Sequence, residues 1–204
     1  MREIKTADLK ERAYWESYKL QQQLVDEKIK GDATDYLLLV EHPHTYTTGR
    51  GGDAKNLPHG RIPVFRMNRG GDVTYHGPGQ LVCYPIIDLK TRGRDISAFL
   101  RTLETGIIET LGSFGLDTRT VPSRTGVWSG AGKIASIGIG VRRWVTFHGL
   151  AINVDPDLSY FAAIKPCGLS GVNMTSMAGE LGGDICIEDV KRRLTCTMAD
   201  VLNG

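Results

Sequence analysis

Between Arg69 and Gln80 the chain runs Arg-Gly-Gly-Asp-Val-Thr-Tyr-His-Gly-Pro-Gly-Gln, with four glycines and one proline in twelve residues. Strand-like runs flank it, Ile62 to Met67 before and Leu81 to Leu89 after. Glycine admits positive φ and close backbone approach at a cost in chain entropy, so such a density constrains the fold more than any other stretch here. Two readings stand. One is a long hairpin connection with a bulge. The other is a pocket wall, with His76 set at the Gly77-Pro78-Gly79 corner. A phosphate-cradling P-loop is excluded because no Gly-Lys-Ser/Thr follows. A dinucleotide fingerprint is excluded because no helix opens after it.

The rest of the chain reads as a mixture of helices and strands without repeats or linkers, so one domain over residues 1–204 is expected. Thr6 to Lys30 suits a helix with Leu9, Ala13, Leu20 and Leu24 on one side, stopped by Gly31-Asp32. Tyr36 to Val40 is an apolar run of strand length. It leads through Glu41-His42-Pro43-His44 to a second glycine-rich corner, Thr45 to Gly52, and then to a polar loop, Lys55 to Gly60. Gln80 to Leu89 continues as strand. Asp95 precedes the clearest helix, whose Ile96, Phe99, Leu100, Leu103, Ile107, Leu111 and Phe114 fall at steps of three and four before Gly115. Leu116 to Val121 is the next strand candidate, and Ile185 to Leu202 closes the chain as a helix.

Lys133 to Val141 and Trp144 to Val154 form a hairpin about an Arg142-Arg143 turn. Ser136, Gly138 and Gly140 share one face of its first strand. They either leave a trough across from His148 and Gly149 or lie under a packed aromatic.

The bulk numbers narrow the function. A net charge of +2 and a pI near 8.3 lack the basic excess of a dedicated nucleic-acid binder, yet allow a local patch that docks an acidic partner. No apolar leader opens the chain and no run reaches transmembrane length, so no membrane role and a reducing cytoplasm are expected. Cys83, Cys167, Cys186 and Cys196 show no Cys-x-x-Cys spacing, so no metal knuckle and free thiols are expected. His42-x-His44 is interrupted by Pro43 and lacks a third ligand, which favours hydrogen-bonding or pocket-edge histidines over a metal site.

Cys83, Cys186 and Cys196 fit buried, small hydrophobes. Cys167 differs, because Pro166 and Gly168 impose a sharp bend that can present a sulfur to a cavity. A thiol at its ordinary pKa is only about 3% ionised at pH 7. An ammonium at about 4 Å and effective dielectric of about 20 attracts the thiolate by about 4 kcal/mol, enough to ionise most of it. Lys133, Lys165, His76 and His148 are the partners available, and spacing does not choose among them.

Four blocks in order resemble the octanoyl (lipoyl) transferases: Arg69 to Gln80; Gly126-Val127-Trp128 with Lys133 to Gly138; His148 to Asn153; and Pro166-Cys167-Gly168. The resemblance implies an α+β fold, a mixed and largely antiparallel sheet flanked by helices, with the core of class II aminoacyl-tRNA synthetases and biotin protein ligases. It implies Cys167 as acyl-thioester nucleophile and Lys133 as the amine that lowers its pKa. It also implies substrate contacts from Arg69, Gly70, Gly71, Asp72, Val73, Thr74, Tyr75 and His76, from Ser136, Ile137 and Gly138, and from Gly149, Leu150 and Ala151. The implied donor is octanoyl-acyl carrier protein. The implied acceptors are lipoyl domains of 2-oxoacid dehydrogenases and the glycine cleavage H protein. No cofactor or metal is required, and the chain is expected to act as a monomer. The rival readings are an ATP-dependent lipoate or biotin ligase, a cysteine hydrolase, and an acyl-carrier-binding module without turnover.

Overall fold

The computed structural model describes residues 3–52, 62–164 and 173–204. Strand β1 (Ile4–Glu11) is followed by helix α1 (Tyr14–Lys30), then β2 (Asp35–Glu41), β3 (Thr45–Thr48), β4 (Val64–Arg66), β5 (Val73–His76) and β6 (Gln80–Ile86). A 3-10 turn at Leu89–Thr91 leads to α2 (Ile96–Gly112), β7 (Arg119–Val121), β8 (Arg124–Trp128), β9 (Lys133–Arg142) and β10 (Val145–Asn153). Short helices α3 (Ser159–Ala162) and α4 (Met177–Leu181) precede the long α5 (Ile187–Asn203).

Seven strands form one sheet in the order β1-β2-β6-β10-β9-β8-β7, parallel only between β1 and β2. A second sheet has the order β4-β3-β5. The α+β, largely antiparallel arrangement expected above is present. The runs flanking the glycine-rich stretch lie in different sheets, so that stretch is a crossover between sheets rather than a hairpin loop.

The large sheet is buried on both faces. Leu37, Leu39, Leu81, Leu150 and Ile152 face a core completed by Leu103, Ile107 and Leu111 of α2 and by Val190, Leu194 and Met198 of α5. Leu38, Val40, Val82, Tyr84 and Phe147 face Leu24 and Val25 of α1. This alternation follows from the period of two along a strand. Burying a leucine or valine contributes about 1.5–3 kcal/mol, so these two layers supply most of what holds the sheet. A third cluster, Tyr46, Val73, Tyr75, Phe161 and Ile164, fixes the small sheet against α3.

Several boundaries differ from expectation: the strand read over Gln80 to Leu89 ends at Ile86, with Leu89 in the 3-10 turn, and Thr45–Thr48 of the second glycine-rich corner is strand β3. The helix read over Thr6 to Lys30 begins only at Tyr14, because Ile4–Glu11 pairs in register with β2, Ile4 opposite Asp35 through Asp8 opposite Leu39. Leu9 and Ala13 suit a helical step of four, but the open edge of β2 offers the backbone a ladder that local periodicity does not reveal. Ala13 then takes an extended conformation (φ −55°, ψ 138°) and α1 starts after it. The hairpin turn is Arg143-Trp144, not Arg142-Arg143; both residues have positive φ, 49° and 71°, as a two-residue turn between twisted strands requires.

The helix signals at Asp95 and Gly31 hold. Asp95 Oδ1 accepts from Ala98 N–H at the start of α2, and Gly31 (φ 119°) closes α1. α2 ends at Gly112 with Ser113 as its cap, and Gly115 (φ 86°), expected as the cap, turns the chain two positions later, the Leu116 N–H donating back to Leu111 O. The loop read at Lys55 to Gly60 lies outside the described residues.

Candidate active site

A cavity of about 460 Å³ opens where the small sheet meets β9 and β10. That size holds a drug-sized or acyl ligand. Its wall contains Arg69, Gly70, Gly71, Asp72, Val73, Thr74 and His76 from the glycine-rich crossover. Lys133, Ser136, Ile137 and Gly138 come from β9, and Gly149, Leu150 and Ala151 from β10. Tyr75 is the exception among the residues singled out above. Its side chain is turned away and fully buried, stacked on Tyr160 at 4.8 Å with its hydroxyl 2.7 Å from His44 Nδ1. Alternation along β5 puts Thr74 and His76 on one face and Tyr75 on the other. Cys167 and Lys165 lie outside the described residues.

The small residues of β9 divide between the two readings. At Gly138 a side chain would fall 3.0 Å from Gly70 O, and Gly70 N–H donates to Ile139 O at 2.9 Å, so the crossover lies directly on this strand. At Gly140 a side chain would overlap the ring of Phe147, so this glycine sits under a packed aromatic. Only Ser136 and Gly138 belong to the cavity wall. Gly149 lines the cavity as well, but a side chain there would strike Cys83 O at 2.0 Å, which marks a tight approach of β10 to β6.

The preceding His148 has φ 55°, a left-handed conformation that is uncommon outside glycine and recurs at functional sites. It turns the ring toward α1, stacked on Tyr18, with Nδ1 3.4 Å from the Tyr14 hydroxyl. Its own N–H donates to Gln21 Oε1.

Lys133 is 6% exposed, with Nζ 5.0 Å from the centre of the Trp128 ring. Its backbone fixes the chain that returns after residue 172: Lys133 N–H donates to Asn173 O at 2.8 Å, and Thr175 N–H donates to Lys133 O at 3.0 Å. Thr175 is held further by Asn153 Nδ2–H to its carbonyl, 2.9 Å, and by its own hydroxyl on Glu180 Oε1, 2.9 Å.

A buried chain of hydrogen bonds joins this clamp to the crossover. Gln80 Nε2–H donates to Asn153 Oδ1 and to Tyr75 O, so its Oε1 must accept, and it accepts from His76 Nδ1–H at 2.7 Å. His76 Nε2 is then the acceptor facing the Thr47 hydroxyl at 3.4 Å. Thr47 Oγ1 and O both accept from Arg69 Nη2, at 2.8 and 2.9 Å.

Three histidines are held neutral. Burial pushes His76 down to about 3, with His42 adding to the effect. Burial also lowers His148 to about 3, assisted by the Arg69 guanidinium, and His42 to about 4. His42 donates Nδ1–H to Arg12 O and accepts from the Tyr84 hydroxyl at Nε2, both at 2.7 Å. Neither His76 nor His148 therefore supplies a cation to a nearby thiol at neutral pH, which leaves the lysines. Among the described residues no group of three His, Cys, Asp or Glu suits a metal ion.

The other cysteines separate. Cys83 is fully buried, and desolvation pushes its thiol up to about 12, so it is inert. Cys186 and Cys196 are exposed, contrary to the expectation of buried hydrophobes, because one precedes α5 and the other lies on its outer face.

Sequence reasoning missed Tyr14, Arg50 and Arg124 on the cavity wall, and Thr47, Asn153 and Thr175 behind it. Asn153 was within reach, since a lone amide ending an otherwise apolar, buried strand needs partners.

Residues 13–199 match the lipoyl protein ligase A/B catalytic domain. An octanoyltransferase of Citrifermentans bemidjiense is 50% identical over 190 residues, covering 93% of each chain. One of Geobacter sulfurreducens is 45% identical over 196 residues, covering 96% of this chain and 83% of its own. Among solved structures, a bi-partite lipoate protein ligase from Thermoplasma acidophilum superposes with a TM-score of 0.75 at 19% identity, covering all of this chain and 85% of the other. A biotin protein ligase from Aquifex aeolicus gives 0.56 at 12% identity, covering all of this chain and 70% of that one. These likenesses confirm the ligase-type core, and together with the sequence matches they place the chain in the octanoyltransferase family of lipoyl protein ligase A/B catalytic domains.

Proposed function

We propose that this chain moves an octanoyl group from octanoyl-acyl carrier protein to a lysine of lipoyl domains, through a thioester on Cys167. The observation that carries the reading is the double backbone clamp of Lys133 on Asn173 and Thr175. Six positions after Cys167 in the sequence, Asn173 pairs with the backbone of Lys133, whose buried amine lines the cavity wall. Ile164, three positions before Cys167, is packed in the Tyr75 cluster, so both ends of the segment are anchored near the cavity.

In the first step the Cys167 thiolate attacks the donor carbonyl. A sulfur–carbon bond forms, and the carrier's sulfur leaves with the electron pair and takes a proton from the Lys133 ammonium. In the second step an acceptor lysine amine attacks the acyl-enzyme carbonyl, the Cys167 sulfur leaves, and an amide remains. Lys133 stabilises the thiolate as an ammonium and, once deprotonated, takes the proton from the attacking amine. The thioester already carries the activation that a free acid would need from ATP. The acyl tail lies along Gly71, Ser136 and Gly138, its seven carbons contributing at most about 5–6 kcal/mol at about 0.8 kcal/mol each.

Intact-mass measurement after incubation with octanoyl-acyl carrier protein tests the reading. The expected result is one octanoyl adduct, mapped by peptide digestion to Cys167 and absent in Cys167→Ser. An adduct on Cys83, Cys186 or Cys196, or transfer that survives Cys167→Ser, overturns it.

A further inference from the structure

The cavity wall carries four cationic side chains, Arg50, Arg69, Arg124 and Lys133, against one carboxylate, Asp72. That local excess is larger than the +2 of the whole chain, so the remaining surface is close to neutral. Charge concentrated at the mouth of a low-dielectric cleft focuses the field and raises the rate at which an oppositely charged partner arrives. Two of the cations are buried. Arg50 and Arg124 are exposed, and no carboxylate among the described residues forms an ion pair with either. Ile96, 40% exposed at the first turn of α2, lines the same cavity. Arg124 is the first residue of β8, lifted there by the tight turn at Ser123 (φ 63°).

The adjacent pair Arg142 and Arg143 offers a contrast. Arg142 ends β9 three positions after Ile139, the last residue of that strand in the cavity wall, so neither arginine of this turn lines the cavity. Arg142 is moreover engaged by Asp26.

We infer that Arg50, Arg124 and Ile96 form the docking rim for the donor, an acidic carrier protein whose thioester arm enters the cavity between them. The inference rests on the transfer reading above and adds the surface and the chemistry of the partner. The carrier's carboxylates meet the two guanidinium groups, and an apolar side chain covers Ile96. Rim charges act mainly through association rate, and their effect is screened by salt.

The test compares two donors on the full chain: octanoyl-acyl carrier protein, and the octanoyl thioester of N-acetylcysteamine, which has no protein part. Arg124→Glu and Arg50→Glu are each expected to lower kcat/KM for the carrier-borne donor by about tenfold. The small thioester should change by less than about twofold. In the unmodified chain, raising salt from about 50 to about 300 mM should raise KM for the carrier and leave that for the small thioester level. Arg143→Glu should leave both donors unaffected. Equal losses on both donors would assign the arginines to the arm or acyl group and overturn the rim, as would no change on either. If the unmodified chain accepts an octanoyl group from neither donor, the transfer reading itself falls and the rim falls with it.

Discussion

Lys133 occupies the space where Gly126 lacks a side chain. A Cβ on Gly126 would lie 2.7 Å from Lys133 Cε and 3.2 Å from Nζ, and 2.6 Å from Ala135 O. The glycine also has φ 127°, and its N–H donates to the buried Glu104 carboxylate at 3.0 Å. Gly126→Ala therefore pushes on both the amine and a neighbouring strand. The expected outcome is a loss of about 1–3 kcal/mol in stability, with a fall in kcat larger than the fold loss explains. Urea denaturation and steady-state kinetics on the same preparation check it.

Removing the amine should leave the fold and change the thiol. Lys133→Ala is expected to raise the pH at which Cys167 reacts with iodoacetamide, because the nearby positive charge that favours thiolate is gone. Lys165→Ala should leave that profile in place. The opposite pattern would transfer the role to Lys165.

The clamp on Thr175 makes a prediction about positioning. Asn153 is 1% exposed and donates from Nδ2 to Thr175 O while accepting from Gln80. Asn153→Asp keeps the shape and the acceptor but sets a carboxylate oxygen against a carbonyl. A cost of about 2–3 kcal/mol in stability is expected. If Thr175 sets the distance from Lys133 to Cys167, the iodoacetamide profile of Cys167 also moves upward, and Asn153→Gln restores neither. A stability loss with an unmoved profile would show that the contact is only structural.

The buried histidines predict an acid-sensitive fold. Their folded values, about 3 for His76 and His148 and about 4 for His42, lie below the ordinary value near 6.5. Between about pH 6.5 and 4 the unfolded chain binds protons that the folded chain does not, so stability falls as pH falls through that window. Three such groups give a slope of up to about 4 kcal/mol per pH unit. Chemical denaturation across this range should show it, and His42→Gln should lessen the slope by about a third.

Some of this architecture was legible in residue order. The alternation of Lys133 to Val154 around a short turn marked the hairpin, and the three-and-four spacing from Ile96 marked α2, because both patterns are local and repeat several times. The density of glycine in the crossover marked a place of close backbone approach, and Gly70 does lie against β9. β1 was not legible: eight residues at a sheet edge carry a weak apolar pattern, and their partner β2 is more than twenty residues away. Nor was the outward turn of Tyr75, which depends on which face of β5 meets α3.

By itself the sequence marked the hairpin of β9 and β10, the helices α2 and α5, and the glycine-rich crossover, since those follow from side-chain type and short-range spacing. It could not choose among two lysines and two histidines as the charged neighbour of Cys167. The tertiary structure narrowed that choice to the lysines, by burying His76 and His148 deeply enough to hold them neutral, and it packs Lys133 against Trp128 in the room left by Gly126. The physical reason is that protonation depends on desolvation and on contacts between elements far apart in the chain, which exist only once the two sheets have met.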